Sequence, residues 1–377
     1  MRKIFILYFF LIAGVSAEAQ DLNIYEWASL QCYRSGIDVT ETPNNIVFNA
    51  KSGLVFIDKS NTDDIRHLTT IDGLTGSDIL SVRYVPDAEK LFIYYGDGSF
   101  DLMDKNLGIT SIQDIKNNNV LVPNKELNAA IVSGKYIYLC FSFGMVEYDA
   151  KEEIFTNTLT AEGGISAVTV NGDKLYIINN NKLYTIDRSV KANISYLGNW
   201  TLVDAPDNRP HADDTYRGLT TFRGQSYTTF DRNLYRLGEN NGPAKIDTLP
   251  TIMTVAYLNA GAEYLMVGGS CNPAALDNKS CIGEVALFDR NLKTTDYSRQ
   301  NLADLRYVIE TTDRIWFADS YHGYRYLDLP ALTPGFIDIN RLSPWSDKVD
   351  AIIKTNDALY IAPGAHTPNY QGAGYKD

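Results

Sequence analysis

An all-β fold, a seven-bladed β-propeller, is predicted by three observations. A unit of short apolar strands separated by turn residues recurs seven times along the 377 residues. The last strands of successive units lie about 40–50 residues apart, which is the period of propeller blades. No segment of ten or more residues carries a convincing helical pattern; the stretch Ala161 to Ala167 is interrupted by Gly163-Gly164. Sandwiches repeat at shorter spacing and β-helices use much shorter coils. A three- or four-stranded meander cannot bury its own faces, so the units must stack, and closing them into a ring protects the ends.

The clearest unit runs from Ile165 to Asp187. Ile165 to Val170 alternates, Asn171-Gly172-Asp173 turns the chain, and Lys174 to Ile178 is the next strand. Asn179 to Asn181 turns it again before Leu183 to Asp187. Asn and Gly tolerate positive φ, which tight hairpins need. The same grammar places strands at Asn45–Phe48 and Leu54–Asp58, then at Ile79–Tyr84, Lys90–Tyr95 and Ser99–Leu102. Further copies are Ala129–Val132, Tyr136–Phe141 and Met145–Asp149, and Leu219–Phe222, Gln225–Thr229 and Leu234–Leu237. The last two are Met253–Leu258, Tyr264–Val267 and Glu284–Asp289, and Tyr307–Ile309, Arg314–Ala318 and Tyr324–Asp328. Residues 21–345 therefore read as one propeller. Asp350–Lys354 and Ala358–Ala362 begin another unit, so 346–377 reads as the truncated start of a further blade or second propeller.

Residues 1–19 have the layout of a secretory signal peptide. Arg2 and Lys3 precede an uncharged apolar run from Ile4 to Val15, and Ala17-Glu18-Ala19 supplies small residues for cleavage. The run is too short to span a bilayer comfortably. The expected product is exported and starts at Gln20, at the outer-membrane surface or in the periplasm. Export changes the reading of the four cysteines. Cys271 and Cys281 flank a polar loop and are expected to form a disulfide, contributing about 2–3 kcal/mol through loop closure. Cys140 lies in an apolar strand and reads as core, while Cys32 stays open.

The net charge of -12 excludes the basic footprint that duplex nucleic acid requires. None of His67, His211, His322 and His366 sits in a metal-binding spacing, and no nucleophile elbow, phosphate loop or dinucleotide fingerprint is present. Gly96-Asp97-Gly98 reads as a hairpin turn. Asp58, Asp149, Asp187, Asp289 and Asp328 recur at strand ends, which favours turn capping over catalysis. No catalytic, cofactor-binding or metal residue is assigned, and the expectation is a protein that is not an enzyme and carries no cofactor. Arg209 to Asp214 is a charged connection that could serve as a ligand loop or as an ordinary solvated one. Asn193, Asn199 and Asn278 match the glycosylation pattern, of consequence only in a glycosylating host. Trp200 and Trp316 could stack sugars, but such rings more often fill the space between blades.

Several segments together resemble a known family. Thr69 to Asp114 carries Ile71-Asp-Gly-Leu74, Ile79 to Tyr84 and Leu91 to Leu102, followed by Gly108-Ile109 and Ile112 to Ile115. Ala130 to Asp149 with Phe143-Gly-Met-Val146, the blade from Val170 to Asp187, and Ala362-Pro-Gly364 continue the pattern. This succession resembles the N-terminal propeller of PorZ-type proteins of the Bacteroidetes type IX secretion system, and is similar to two-component regulator propellers. The resemblance implies a surface component of the attachment complex that presents anionic lipopolysaccharide to a sortase or binds another type IX secretion protein at the cell surface. In full form the family looks like two seven-bladed propellers followed by a sandwich. This chain carries one propeller's worth of repeats, as a fragment or a shortened relative would. Two other functions follow from the fold class: a ligand-sensing periplasmic propeller of a hybrid two-component regulator, and a propeller hydrolase or lyase acting on glycans.

Overall fold

Each recurring unit folds as an antiparallel sheet because its apolar residues alternate and its turns supply positive φ. Between Asn179 and Lys182, Asn180 and Asn181 both take positive φ (50° and 56°), the geometry of a two-residue hairpin that matches strand twist. Gly172, at φ 58°, does the same between Asn171 and Lys174. The computed structural model describes residues 33, 35–118, 124–190, 193–203, 215–238, 243–249, 253–271, 284–296, 302, 304–320, 323–337, 349–355 and 359–363.

Seven four-stranded sheets form the blades of a propeller. Blade 1 comprises β1 (Asp38–Glu41), β2 (Asn45–Asn49), β3 (Leu54–Asp58) and β4 (Ile65–Leu68). Blade 2 comprises β5 (Ile79–Val85), β6 (Lys90–Tyr95), β7 (Phe100–Met103) and β8 (Ile109–Ile112). Blade 3 comprises β9 (Leu127–Ser133), β10 (Tyr136–Phe141), β11 (Gly144–Asp149) and β12 (Ile154–Thr160). Blade 4 comprises β13 (Ile165–Asn171), β14 (Lys174–Asn179), β15 (Lys182–Asp187) and β16 (Thr201–Leu202). Blade 5 comprises β17 (Tyr216–Phe222), β18 (Gln225–Phe230), β19 (Asn233–Leu237) and β20 (Pro243–Thr248). Blade 6 comprises β21 (Met253–Ala260), β22 (Leu265–Cys271), β23 (Glu284–Phe288) and β24 (Thr294–Asp296). Blade 7 comprises β25 (Leu305–Glu310), β26 (Arg314–Asp319), β27 (Gly323–Asp328) and β28 (Thr333–Phe336). A last hairpin pairs β29 (Val349–Lys354) with β30 (Leu359–Pro363).

In every blade the strands are ordered as in the sequence, and the first strand of each touches the first strand of the next. β25 in turn touches β1, which closes the ring. Seven apolar clusters fill the seven spaces between neighbouring blades. Trp200 and Trp316 belong to two of them, and the Trp200 indole donates to the Ile194 carbonyl at 3.1 Å. Both rings therefore fill interblade space, as expected over a sugar-stacking role. Cys140 is fully buried, and burial pushes its thiol well above the ordinary range.

The fourth strand of each blade escapes the sequence pattern, as does β1. Strands such as β8, β16 and β20 have mostly half-buried or exposed residues and lack an apolar run. They pair through backbone bonds on one edge and need little hydrophobic content. In the first unit the strand at Asn45 is consequently the second of its blade, not the first.

The recurring aspartates cap turns. Asp58 Oδ1 accepts from the Ser60 amide at 2.7 Å, and Asp187 Oδ1 from the Ser189 amide at 2.9 Å. Asp289 Oδ1 accepts from the amides of Asn291 and Lys293 at 2.9 and 2.8 Å. Asp149 accepts from the amides of Lys151 and Glu152, both at 3.0 Å, and pairs with Lys135 at 2.5 Å. Asp328 departs from the pattern: Arg314 Nε donates to it across the sheet at 2.7 Å. Hydrogen bonds from Ser60 and Ser189 hold Asp58 and Asp187 below the ordinary carboxylate pKa. For Asp149, burial works the other way, but Lys135 and the two amides outweigh it and lower the pKa. A lowered native pKa stabilises the fold above the ordinary value of 3.8 and is lost as these groups protonate below it. Thermal melts should therefore hold from neutral pH down to about 5 and fall steeply below about 4. The Asp149→Asn variant should show a shallower fall, and identical acid profiles for the two proteins would contradict this.

Candidate functional site

The innermost strands build a central channel with a repeated defect at one end. In six blades the pairing between the first and second strands skips one residue of the first strand. The skipped residues are Leu80, Asn128, Ser166, Arg217, Ala256 and Arg306. Such bulges leave a residue unpaired and re-aim its side chain. All six border one cavity of about 260 Å³ around the axis. Each lies at the start of its strand, so the six residues form a ring at a single mouth of the channel. All but Leu80 are solvent-exposed.

Two of the six are arginines. Arg306 forks onto Asp304, with Nε at 3.0 Å and Nη2 at 2.5 Å from the same oxygen. Arg217 has no hydrogen-bond or ion-pair partner among the described residues. A planar guanidinium presents paired donors that fit carboxylate or phosphate oxygens. The mouth thus holds one uncommitted guanidinium, Arg217, beside the Arg306–Asp304 pair, on a protein of net charge -12. Opposite charges attract over roughly a Debye length, about 8 Å at physiological salt.

Deeper in the channel Arg83 ties four blades together. Its Nη1 donates to Asp38 Oδ2 on β1 at 2.6 Å and to the Val82 carbonyl at 2.6 Å. Its Nε donates to the Ala130 carbonyl on β9 at 3.0 Å, and its guanidinium lies 4.3 Å over the Tyr307 ring on β25. Asp38 also accepts from Ser81 Oγ at 2.9 Å and the Val82 amide at 3.1 Å. Burial disfavours the Arg83 charge, but the adjacent Asp38 carboxylate more than offsets it and raises the pKa. Burial likewise raises the phenols of Tyr257 and Tyr307, which remain protonated. In this lower part of the channel Arg83 and Asp38 are fully engaged, while the Tyr257 hydroxyl has no hydrogen-bond partner among the described residues and Arg217 at the mouth is uncommitted.

The sequence-level site assignments fare unevenly. Cys281 lies outside the described residues, and Cys271 is described only as the last residue of β22, so the expected disulfide stays an expectation. The signal-peptide segment 1–19, the loop 209–214, and His211, His322 and His366 also lie outside the described residues. His67 stands on β4 with its ring stacked on Tyr33, centroids 3.9 Å apart. No group of three metal-ligating side chains occurs among the described residues. Gly96 to Gly98 turns between β6 and β7, as expected. The bulge arginines were missed because the recognised strands start at Leu219 and Tyr307, just past Arg217 and Arg306. The signal was there: Arg217 directly follows Tyr216, and Arg306 sits between Leu305 and Tyr307, at the heads of the first strands of blades 5 and 7.

The geometry defines a seven-bladed propeller with a closed ring and an arginine-bearing channel mouth. Residues 46–201 match the family model of the type IX secretion PorZ N-terminal β-propeller domain, and this upholds the resemblance seen in the sequence. The match runs from blade 1 to the last strand of blade 4. Among solved structures, the chain is similar to PorZ of Porphyromonas gingivalis, described as an essential bacterial surface component of the type IX secretion system. The TM-score is 0.74 at 20% identity, covering 91% of this chain and 43% of that one. The chain thus spans less than half of that protein's length. Virginiamycin B lyase from Staphylococcus aureus is similar at TM-score 0.58 and 11% identity, covering 78% of this chain and 94% of that one. A chain of a mitotic checkpoint complex reaches 0.56 at 11% identity, covering 80% and 92%. At these identities the likeness concerns the fold alone. No curated protein matches the chain.

Proposed function

We propose that the chain is a non-enzymatic, exported β-propeller of a type IX secretion attachment complex that binds anionic lipopolysaccharide at the cell surface. The match of residues 46–201 to the PorZ N-terminal propeller carries this reading. The channel mouth supports it, because Arg217 offers an uncommitted guanidinium to an anionic glycan and Arg306, held by Asp304, stands on the same ring. The exported location rests on the signal-peptide pattern of residues 1–19 and on the surface setting of the structurally similar PorZ. The sortase is the partner that would receive the glycan.

Residues 346–377 are the start of a further blade in this reading. The β29–β30 hairpin favours it, since its pairing skips Asp350 at the same position where six blades skip a residue.

The test is binding of the purified chain to immobilised anionic lipopolysaccharide. Wild type should bind in a salt-sensitive manner, and the Arg217→Gln/Arg306→Gln double variant should bind at least about tenfold more weakly. A folded wild-type protein that ignores the glycan at low salt would remove the ligand-presenting role.

A further inference from the structure

A second cavity, of about 540 Å³, lies between blades 1 and 2 at the opposite end of the strands from the arginine-bearing mouth. It is a slot between two facing sheets. One wall is Phe56 on β3 with its cross-strand partner Arg66 on β4, flanked by Leu68. The other wall is a row across blade 2, in which Tyr84 pairs with Leu91 and Leu91 with Met103. Phe56, Leu91 and Met103 are buried at the floor, where the apolar cluster between the two blades ends. Leu107, 47% exposed, forms an apolar lip. A slot of this volume and lining falls within the range of small-molecule sites.

The polar groups around it are mostly committed. Lys105 lies 3.6 Å from Glu89. Asp104 Oδ1 accepts from the amides of Asn106 and Gly108 at 2.7 and 2.9 Å. Burial, and less so Glu89, raises the Tyr84 phenol, which keeps its proton for donation. Arg66 is different: it makes no ion pair among the described residues. Its charge is felt by Asp58, whose Oδ1 is already taken by Ser60 and Asn61. The slot therefore offers apolar walls beside one uncommitted guanidinium.

We propose that this slot is a binding site for a small amphiphile with a flat apolar body and one anionic group. The body inserts between Phe56 and the row of Tyr84, Leu91 and Met103, and the anion meets Arg66 at the rim. A carboxylate, sulfonate or phosphate satisfies the same fork of donors. The site is separate from the channel mouth and does not depend on the role proposed for that mouth.

The probe is anilinonaphthalene sulfonate, titrated into the chain and followed by its fluorescence, with circular dichroism confirming the fold of each variant. Wild type should show one saturable site. Arg66→Gln should weaken it about fivefold or more, whereas affinity for uncharged N-phenylnaphthylamine should not change. Met103→Trp, which fills the slot, should weaken both dyes; because it alters the core, a crystal soaked with the dye provides an independent readout. Arg217→Gln/Arg306→Gln should bind the dye as wild type does. Non-saturable binding, binding indifferent to Arg66→Gln, loss confined to the channel-mouth variant, or dye located elsewhere in the crystal would each overturn the proposal.

Discussion

Replacing Arg83 by Met is expected to lower the unfolding free energy by about 3 kcal/mol at neutral pH, the lower part of the range for breaking a buried ion pair. The lower part is appropriate because Asp38 keeps three other donors: its neighbour's amide Val39 N, Ser81 Oγ and the Val82 amide. What it loses is its counter-charge in a place where its side chain is only 6% exposed. Urea unfolding at neutral pH measures this. Arg83→Lys should recover only part of the loss, because an ammonium cannot reach Asp38, the Ala130 carbonyl and the face of Tyr307 with one planar group. A loss under about 1 kcal/mol would show that the Arg83 network is dispensable.

The contrast between Arg83 and the blade pattern explains what was legible in the sequence. Strands such as Lys174–Asn179 announce themselves because a short apolar run and the Asn-rich turns beside it act over a few residues. Four of the five aspartates at strand ends were legible for the same reason, bonding amides two to four residues ahead, while Asp328 instead accepts from Arg314 across the sheet. Asp38 and Arg83 are 45 positions apart, and only ring curvature brings them together. The Phe56–Arg66 and Tyr84–Leu91–Met103 walls depend on register within two sheets and on how those sheets splay. Arg217 and Arg306 were hidden by a one-residue bulge, which breaks the alternation that defines the start of a strand. Local chemistry thus yields the repeat, while the candidate sites arise from the places where the repeat is bent.

Trp316→Ala should cost about 3–5 kcal/mol, as removal of a fully buried large ring does, and should open the ring at one seam. Every blade consists of consecutive strands, so among the described residues no strand pairs into the sheet of a distant blade to hold the ends of the ring. Closure rests on packing of blade 1 against blade 7. Trp316 is 2% exposed, meets Phe48 edge-on at 6.0 Å and lies 5.1 Å from Tyr326. Phe48 also stacks on Tyr324 at 4.2 Å. Three hydrogen bonds supplement this packing: the Gly36 amide to the Asp319 carbonyl at 3.0 Å, Ser35 Oγ to the Ser320 carbonyl at 3.1 Å, and the Tyr324 hydroxyl to the Tyr33 carbonyl at 2.5 Å. Gly36 permits that approach, since a Cβ there would sit 2.9 Å from the Asp319 amide nitrogen. Trp200 provides the control. It is similarly buried, at 6%, but belongs to the core between blades 3 and 4, whose chain is continuous. Trp200→Ala should therefore lose comparable stability without separating the ends. In hydrogen–deuterium exchange, Trp316→Ala should lose protection first in β1, β2, β25 and β26 while the other blades stay protected. Uniform loss of protection, or the same pattern in Trp200→Ala, would mean that the seam is no weaker than any other interface and that the ring unfolds as one unit.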